Sequence, residues 1–183
     1  MSMQKSVSNL AKMAAAVAIA AATIAFLMAQ DTSLEGLVSA SSKGITIAAI
    51  TAVAYERFLW RLNPFEKRPR LSGHYDCVLE YSHGKGEGRK KTTAFVRQTL
   101  LTASISFHTD EITSNTKASE LVDESGRYVL YYTYLTTPLM RYSQNNPIQY
   151  GTCRLEVMDD GELRGSYWTS NATRGDINLT PRP

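Results

Sequence analysis

Near residue 72 the hydrophobic period of this chain changes, and that change limits what it can fold into. Two long apolar runs come first. "MAAAVAIAAATIAFLMA" (residues 13–29) is broken only by Thr23. With Leu10 and Ala11 it approaches the ~20 residues a helix needs to cross a bilayer core. "GITIAAITAVAYERFLWRL" follows, apolar from Ile45 to Tyr55 apart from Thr46 and Thr51. Tyr55 and Trp60 suit an interfacial anchor there, and Arg57 and Arg61 can snorkel. The pattern predicts two transmembrane helices within residues 1–62, at about 10–29 and 44–62. A short linker rich in Pro and basic residues covers 63–71, and a ligand-binding β-domain covers 72–183.

Beyond residue 72 the alternation has period two. Tyr75, Cys77, Leu79 and Tyr81 share one face, and His74, Asp76, Val78 and Glu80 the other. "HGKGEGRK" is a glycine-rich turn. "KTTAFVRQ" and "LLTASISFHT" are the next strands, the latter with Leu101, Ala103, Ile105 and Phe107 on one side. "EITSNTKASELV", "GRYVLYYTYL", "IQYGTCRLEVM", "GELRGSYWTS" and "RGDINLT" complete eight, with turn signals at "DESG", "TTPLMRYSQNNP" and "DDG". So many short strands predict an all-β domain, a small eight-stranded antiparallel up-and-down barrel of lipocalin-like size that can just hold one small ligand. A sandwich of the same strands is the alternative.

Charge divides along the same boundary. Residues 1–71 carry eight Lys/Arg and four Asp/Glu, a balance of +4; residues 72–183 carry twelve and thirteen, a balance of −1. The basic excess therefore accompanies the apolar runs, which argues against direct DNA or RNA binding by the β-domain. Lys5 and Lys12 precede the first run, and Arg57, Arg61, Lys67, Arg68 and Arg70 follow the second. The segment between them holds Asp31, Glu35 and Lys43. By the positive-inside rule both termini and the barrel are cytoplasmic, in a multi-pass protein of the cell membrane. Cys77 and Cys153 are then expected as reduced, buried thiols. A cleaved signal peptide shares the positive start and the loose "FLMAQ" site, but it leaves the second run unexplained. A signal peptide followed by one stop-transfer helix stays open.

No catalytic or metal constellation emerges. His74, His83 and His108 lack metal spacing, "HGKGEG" lacks a P-loop pattern, and no nucleophile elbow surrounds any serine. The chain reads as a non-enzyme without cofactor. Binding is better supported. Tyr75, Tyr132, Tyr134 and Tyr167 lie in strands among arginines and an amide, Arg97, Gln98, Arg154 and Arg174. Aromatic rings stack on bases and guanidinium groups fork onto phosphate, so these eight are the candidate ligand-binding residues. A carrier barrel for an apolar ligand, or one that docks a protein at the membrane, are the competing readings.

The order of segments carries a further indication. Two apolar spans run into "RPRLSGHY", then "VRQTLLTASISFHTDEITSNTKASEL", "YVLYYTYLTTP", "YGTCRLEV" and "GELRGSYWTSNATRGDINL". Over essentially the whole chain this succession resembles the two-transmembrane β-barrel effectors of CBASS, a bacterial anti-phage system. Tyr75 and Leu100 stand where that pattern leads one to expect a larger aromatic. The resemblance implies pairing with a cGAS/DncV-like nucleotidyltransferase and binding of a cyclic dinucleotide by the barrel. It further implies assembly of a homo-oligomer through the spans and contact with inner-membrane lipid, ending in membrane disruption and death of the infected cell.

Overall fold

The computed structural model describes residues 3–29, 33–83, 86–144 and 146–182. It divides into two units, Met3–Lys67 and Arg68–Pro183. The first holds helices α1 (Met3–Ala29) and α2 (Leu34–Arg57), followed by a 3-10 turn, Leu59–Leu62. By length and composition both helices can cross a membrane. Their exposed faces carry Ile19, Ile24, Leu27, Ile45, Ile50 and Val53.

The second helix starts at Leu34, well before the residue 44 expected from hydropathy. Ser33 caps it, its Oγ accepting from the Gly36 amide at 3.1 Å, and Glu35 stands in the first turn, where the helix dipole favours an anion. Gly36, Ala40, Gly44 and Ala48, spaced by four, form its buried stripe. A Cβ on Gly44 would lie 2.5 Å from the Ala18 carbonyl oxygen and 2.7 Å from the Ala22 Cβ, so close approach to α1 requires glycine there. Ser39, Ser41 and Ser42, read as loop, are helical because this packing stripe runs through them. Of the expected connecting segment, residues 30–32 lie outside the described residues. Trp60, expected as an interfacial anchor, is fully buried, whereas Phe58, Leu62 and Phe65 are exposed.

The second unit is a closed barrel of eight antiparallel strands in sequential order, β1 (His74–His83), β2 (Gly86–Gln98), β3 (Ala103–His108), β4 (Ile112–Glu124), β5 (Arg127–Pro138), β6 (Gln149–Val157), β7 (Leu163–Thr169) and β8 (Arg174–Pro181). Pairing of β1 with β8 removes both sheet edges. The up-and-down barrel is thus the one read from the alternation, and the sandwich is excluded. In the first turn, Gly84 and Lys85 lie outside the described residues.

Strand β3 is short and pairs with only three residues of β4, from Ser106↔Asn115 to His108↔Thr113. Side chains extend the contact. The Ile105 amide donates to Thr116 Oγ1, which donates back to the Ile105 carbonyl, both at 2.9 Å, and the Ala103 amide donates to Ser119 Oγ at 3.2 Å. A register shift between Thr116 and Ala118 accompanies them. The Ser/Thr richness of β4 therefore replaces a missing backbone ladder. Elsewhere the strands pack very tightly: a Cβ on Gly175 would lie 1.8 Å from the Glu80 carbonyl oxygen.

Tyr75, Cys77, Ile105, Leu130, Cys153, Leu155, Leu163 and Leu179 fill the lower barrel and are almost wholly buried. The end where the chain enters is sealed. Leu71 joins the core, its amide donating to Gln98 Oε1 at 2.9 Å, while Gln98 Nε2 donates to the Pro69 carbonyl at 2.9 Å. Arg68 Nη1 donates to the Leu100 carbonyl. The last four residues of the expected linker are therefore the floor of the barrel.

Candidate functional site

The opposite end of the barrel is open. It is bordered by the β1–β2, β3–β4, β5–β6 and β7–β8 connections and leads into a cavity of about 450 Å³, within the range that engulfs a small ligand. Its wall is set by strand parity. Leu79 and Tyr81 project inward from β1, Lys90 and Thr92 from β2, Tyr132, Tyr134 and Thr136 from β5, and Cys153, Tyr167 and Ile177 from β6, β7 and β8.

Two glycines create the room. A Cβ on Gly151 would lie 2.1 Å from the Tyr134 ring, and one on Gly88 would lie 2.5 Å from the Tyr81 ring. Each ring lies flat against the wall because its neighbour has no side chain. Tyr132 and Tyr134 are a tilted pair with centroids 5.8 Å apart. The Tyr132 hydroxyl is buried beside the Cys153 thiol. Neither it nor the buried Oε1 of Gln149 has a hydrogen-bond partner of regular geometry among the described residues. Buried polar atoms in that state call for a partner, and both line the cavity.

Burial dominates the electrostatics. It raises the phenols of Tyr132 and Tyr134 well above their ordinary value, with Cys153 adding to the effect, and that of Tyr167 to about 12. Burial also raises the thiols of Cys77 and Cys153 to about 12. At neutral pH these phenols and thiols are thus neutral donors and acceptors. Both cysteines are free, as expected of buried reduced thiols.

Of the eight residues chosen from the sequence, Tyr132, Tyr134 and Tyr167 come together in this cavity. Tyr75 also points inward, but it lies in the core near the floor. Its hydroxyl accepts from the Ser72 amide at 3.0 Å and donates to the Gly161 carbonyl at 3.3 Å. Gln98 holds the floor segment. Arg97, Arg154 and Arg174 have the opposite parity to buried neighbours such as Val96 and Cys153, so they are exposed on the outer wall, not inside. There Arg154 Nη2 pairs with Glu124 Oε2 at 2.8 Å and its Nε donates to the Tyr131 hydroxyl at 3.0 Å. His74 and His108 also lie outside, flanking the Phe95 ring.

Arg174 and the exposed Trp168 border a second, larger recess of about 820 Å³ across β1, β2, β7 and β8, with Glu80, Arg89 and Asp176. It is a shallow outer surface whose Arg89 already pairs with Glu80 at 3.5 Å. The inner cavity surrounds a ligand and the outer recess does not, so the inner one is the candidate site. Lys90, Tyr81, Phe107 and Gln149 belong to it and are not among the eight residues chosen from the sequence, although the alternation puts Tyr81 with Cys77 and Leu79, and Phe107 with Ile105. The glycine-rich "HGKGEGRK" includes Lys90, yet Lys90, Thr92, Ala94 and Val96 alternate with Lys91, Thr93, Phe95 and Arg97 and so extend the strand.

Among the described residues no group of three or more His, Cys, Asp or Glu is placed to hold a metal. Fold and cavity define a barrel of ligand-binding build, preceded by two long apolar helices. Residues 66–181 match the family model described as Cap15, cyclic dinucleotide receptor domain. The chain is 39% identical over 147 residues to CD-NTase-associated protein 15 of Staphylococcus schleiferi, covering 79% of this chain and 80% of that relative. The chain belongs to the Cap15 family of CBASS effectors.

Proposed function

We propose that this chain is the receptor half of a nucleotidyltransferase–effector pair. A cyclic dinucleotide made by the partner enzyme enters the open mouth of the barrel. A base lies among Tyr132, Tyr134, Tyr167 and Phe107, and its polar edge meets the Tyr132 hydroxyl and Gln149 Oε1. Binding favours a form that self-associates through α1 and α2, which requires the ligand to bind that form more tightly than the other. Clustered spans then breach the inner membrane, with the barrel on the cytoplasmic side where the messenger is made. No chemistry on the ligand is involved.

The observation that carries this reading is an aromatic cavity holding a buried Gln149 Oε1 with no partner among the described residues and a Tyr132 hydroxyl whose sole neighbour of that kind is the Cys153 thiol, found in a member of a family described by its receptor domain. Hydroxyl and amide groups around the mouth disfavour a purely apolar cargo. The test is calorimetric titration of the full chain in detergent with a panel of cyclic dinucleotides, followed by dye release from liposomes containing it. Micromolar or tighter binding of one member, with release dependent on that member, supports the proposal. A folded chain that binds none overturns it.

A further inference from the structure

We propose that Lys90 is the phosphate contact of the cavity, and that Glu111 beside it makes the site select an internucleotide phosphodiester over a terminal phosphate. This rests on the cyclic-dinucleotide reading above. The arginines that looked suited to phosphate are all outside the barrel. Among the described lining residues of the cavity, Lys90 is the one with a permanent positive charge. It projects inward from β2, opposite Leu79 of β1. Its Nζ lies 2.9 Å from Glu111 Oε2, and the two side chains are 41% and 49% exposed.

Such a half-exposed pair is weak and opens at little cost. An ammonium has three donors, and Glu111 occupies one. A phosphate oxygen at the mouth can therefore join the pair or displace the carboxylate. Glu111 itself is held in place. Its amide donates to Thr109 Oγ1 at 3.3 Å, and its carbonyl accepts from the Leu139 amide at 2.9 Å. These bonds hold its backbone, so a displaced carboxylate remains within side-chain reach of Lys90.

The charge count then decides what enters. Lys90 and Glu111 form an exposed pair that a phosphate can open, and the other polar residues lining the cavity beside them, including Thr92, Thr109, Asn146 and Asn171, are neutral, while Asp110 and Arg141, whose Nη2 donates to the Asp110 carbonyl at 3.4 Å, are not among its lining residues. The ring carries two phosphodiesters of one negative charge each, and Lys90 can meet one of them. A terminal phosphate brings close to two at neutral pH, and the second has no counter-charge and faces Glu111. The intact ring of a cyclic dinucleotide has only diesters, whereas hydrolysis of one linkage creates a terminal phosphate. Cleaving the ring would therefore release the ligand.

The test uses full-length chain in detergent, as wild type, Lys90→Gln and Glu111→Gln. Each is titrated with the cyclic dinucleotide that binds best in the panel and with its linear, 5′-phosphorylated form. Wild type should prefer the ring by about tenfold or more. Lys90→Gln should weaken ring binding about tenfold, the usual scale of a charge-assisted hydrogen bond, and flatten its salt dependence. Glu111→Gln should bind both forms more tightly, the linear one most, so that the preference shrinks. Thermal melts check that both variants fold, and each tests the assignment separately. Ring binding unchanged in a folded Lys90→Gln, or a preference unchanged in Glu111→Gln, overturns the assignment and leaves the receptor reading standing. Failure of wild type to bind any panel member removes the receptor reading and this inference together.

Discussion

Gly151 shows how a missing side chain can be a functional feature. The Tyr134 ring occupies the space that its Cβ would take. Gly151→Ala should push the ring into the cavity, costing about 1–3 kcal/mol in misfit. Ligand affinity should fall about tenfold or more, while the far-UV spectrum of the barrel is retained; titration of the variant measures it. Unchanged affinity would place the ligand away from Tyr134. At this scale the sequence was legible only in part. The tyrosines of β5 and β7 were legible as strand aromatics, but the adjacent Tyr131 and Tyr132 and the consecutive buried Val129 and Leu130 leave the inward face of β5 open in the sequence. The arginines could not be placed, because an Arg has equal use for an inward anion and for water, and only the flanking core residues fix its parity. Lys90 was hidden by the glycines before it, which look like a turn, although Gly88 lies in β2 against the Tyr81 ring.

At the level of elements, the eight strands and their order followed from alternation and turn residues, since closing a sheet of this size leaves few arrangements. The starts of α2 and of the barrel followed less well. A Ser cap and a four-residue stripe of small residues override the low hydropathy of residues 34–43. Likewise Pro69 and the basic residues around it read as linker, yet the Gln98 amide and the buried Leu71 make that segment part of the barrel. A fragment starting at residue 72 should therefore be less stable than one starting at residue 66. Burying a Leu side chain is worth about 1.5–3 kcal/mol and each lost hydrogen bond about 1. The shorter fragment should melt about 10–20 °C lower. Equal melting temperatures would mean that the floor forms without its first residues.

For the whole molecule, the buried acids set the response to pH. The thiols of Cys77 and Cys153 rise from an ordinary 9.0, and the phenols of Tyr75, Tyr132, Tyr134 and Tyr167 from 10.0. Groups raised by folding give their full stabilisation below their unfolded values and lose it as pH climbs towards the folded ones. The melting temperature should hold steady near neutrality and fall steeply above about pH 9. Native thiols should resist iodoacetamide at pH 8 and react once the chain is unfolded. The acid side should be gentler. Arg182 lowers Asp76, and Tyr131 and Arg154 lower Glu124, but both carboxylates are at the surface. Stability from them is present above about pH 4.5 and fades below it as the lowered carboxylates protonate. A melting curve flat to pH 11 would contradict the burial of these groups.

Because the floor takes residues 68–71 into the barrel, the connection to the helical unit is short. Only the segment between Leu62 and Arg68 belongs to neither the 3-10 turn nor the barrel unit. Six peptide steps reach at most about 20 Å, and Pro64 stiffens them. Under the proposed function, with the helices in a bilayer, a connection of this length keeps a barrel from leaving the membrane by more than its own reach. Neighbouring barrels then meet at an effective concentration far above that of the same domain in solution. If the proposed self-association occurs, a barrel–barrel affinity too weak to detect with isolated domains can suffice on the membrane, so it is to be measured with the full chain in lipid.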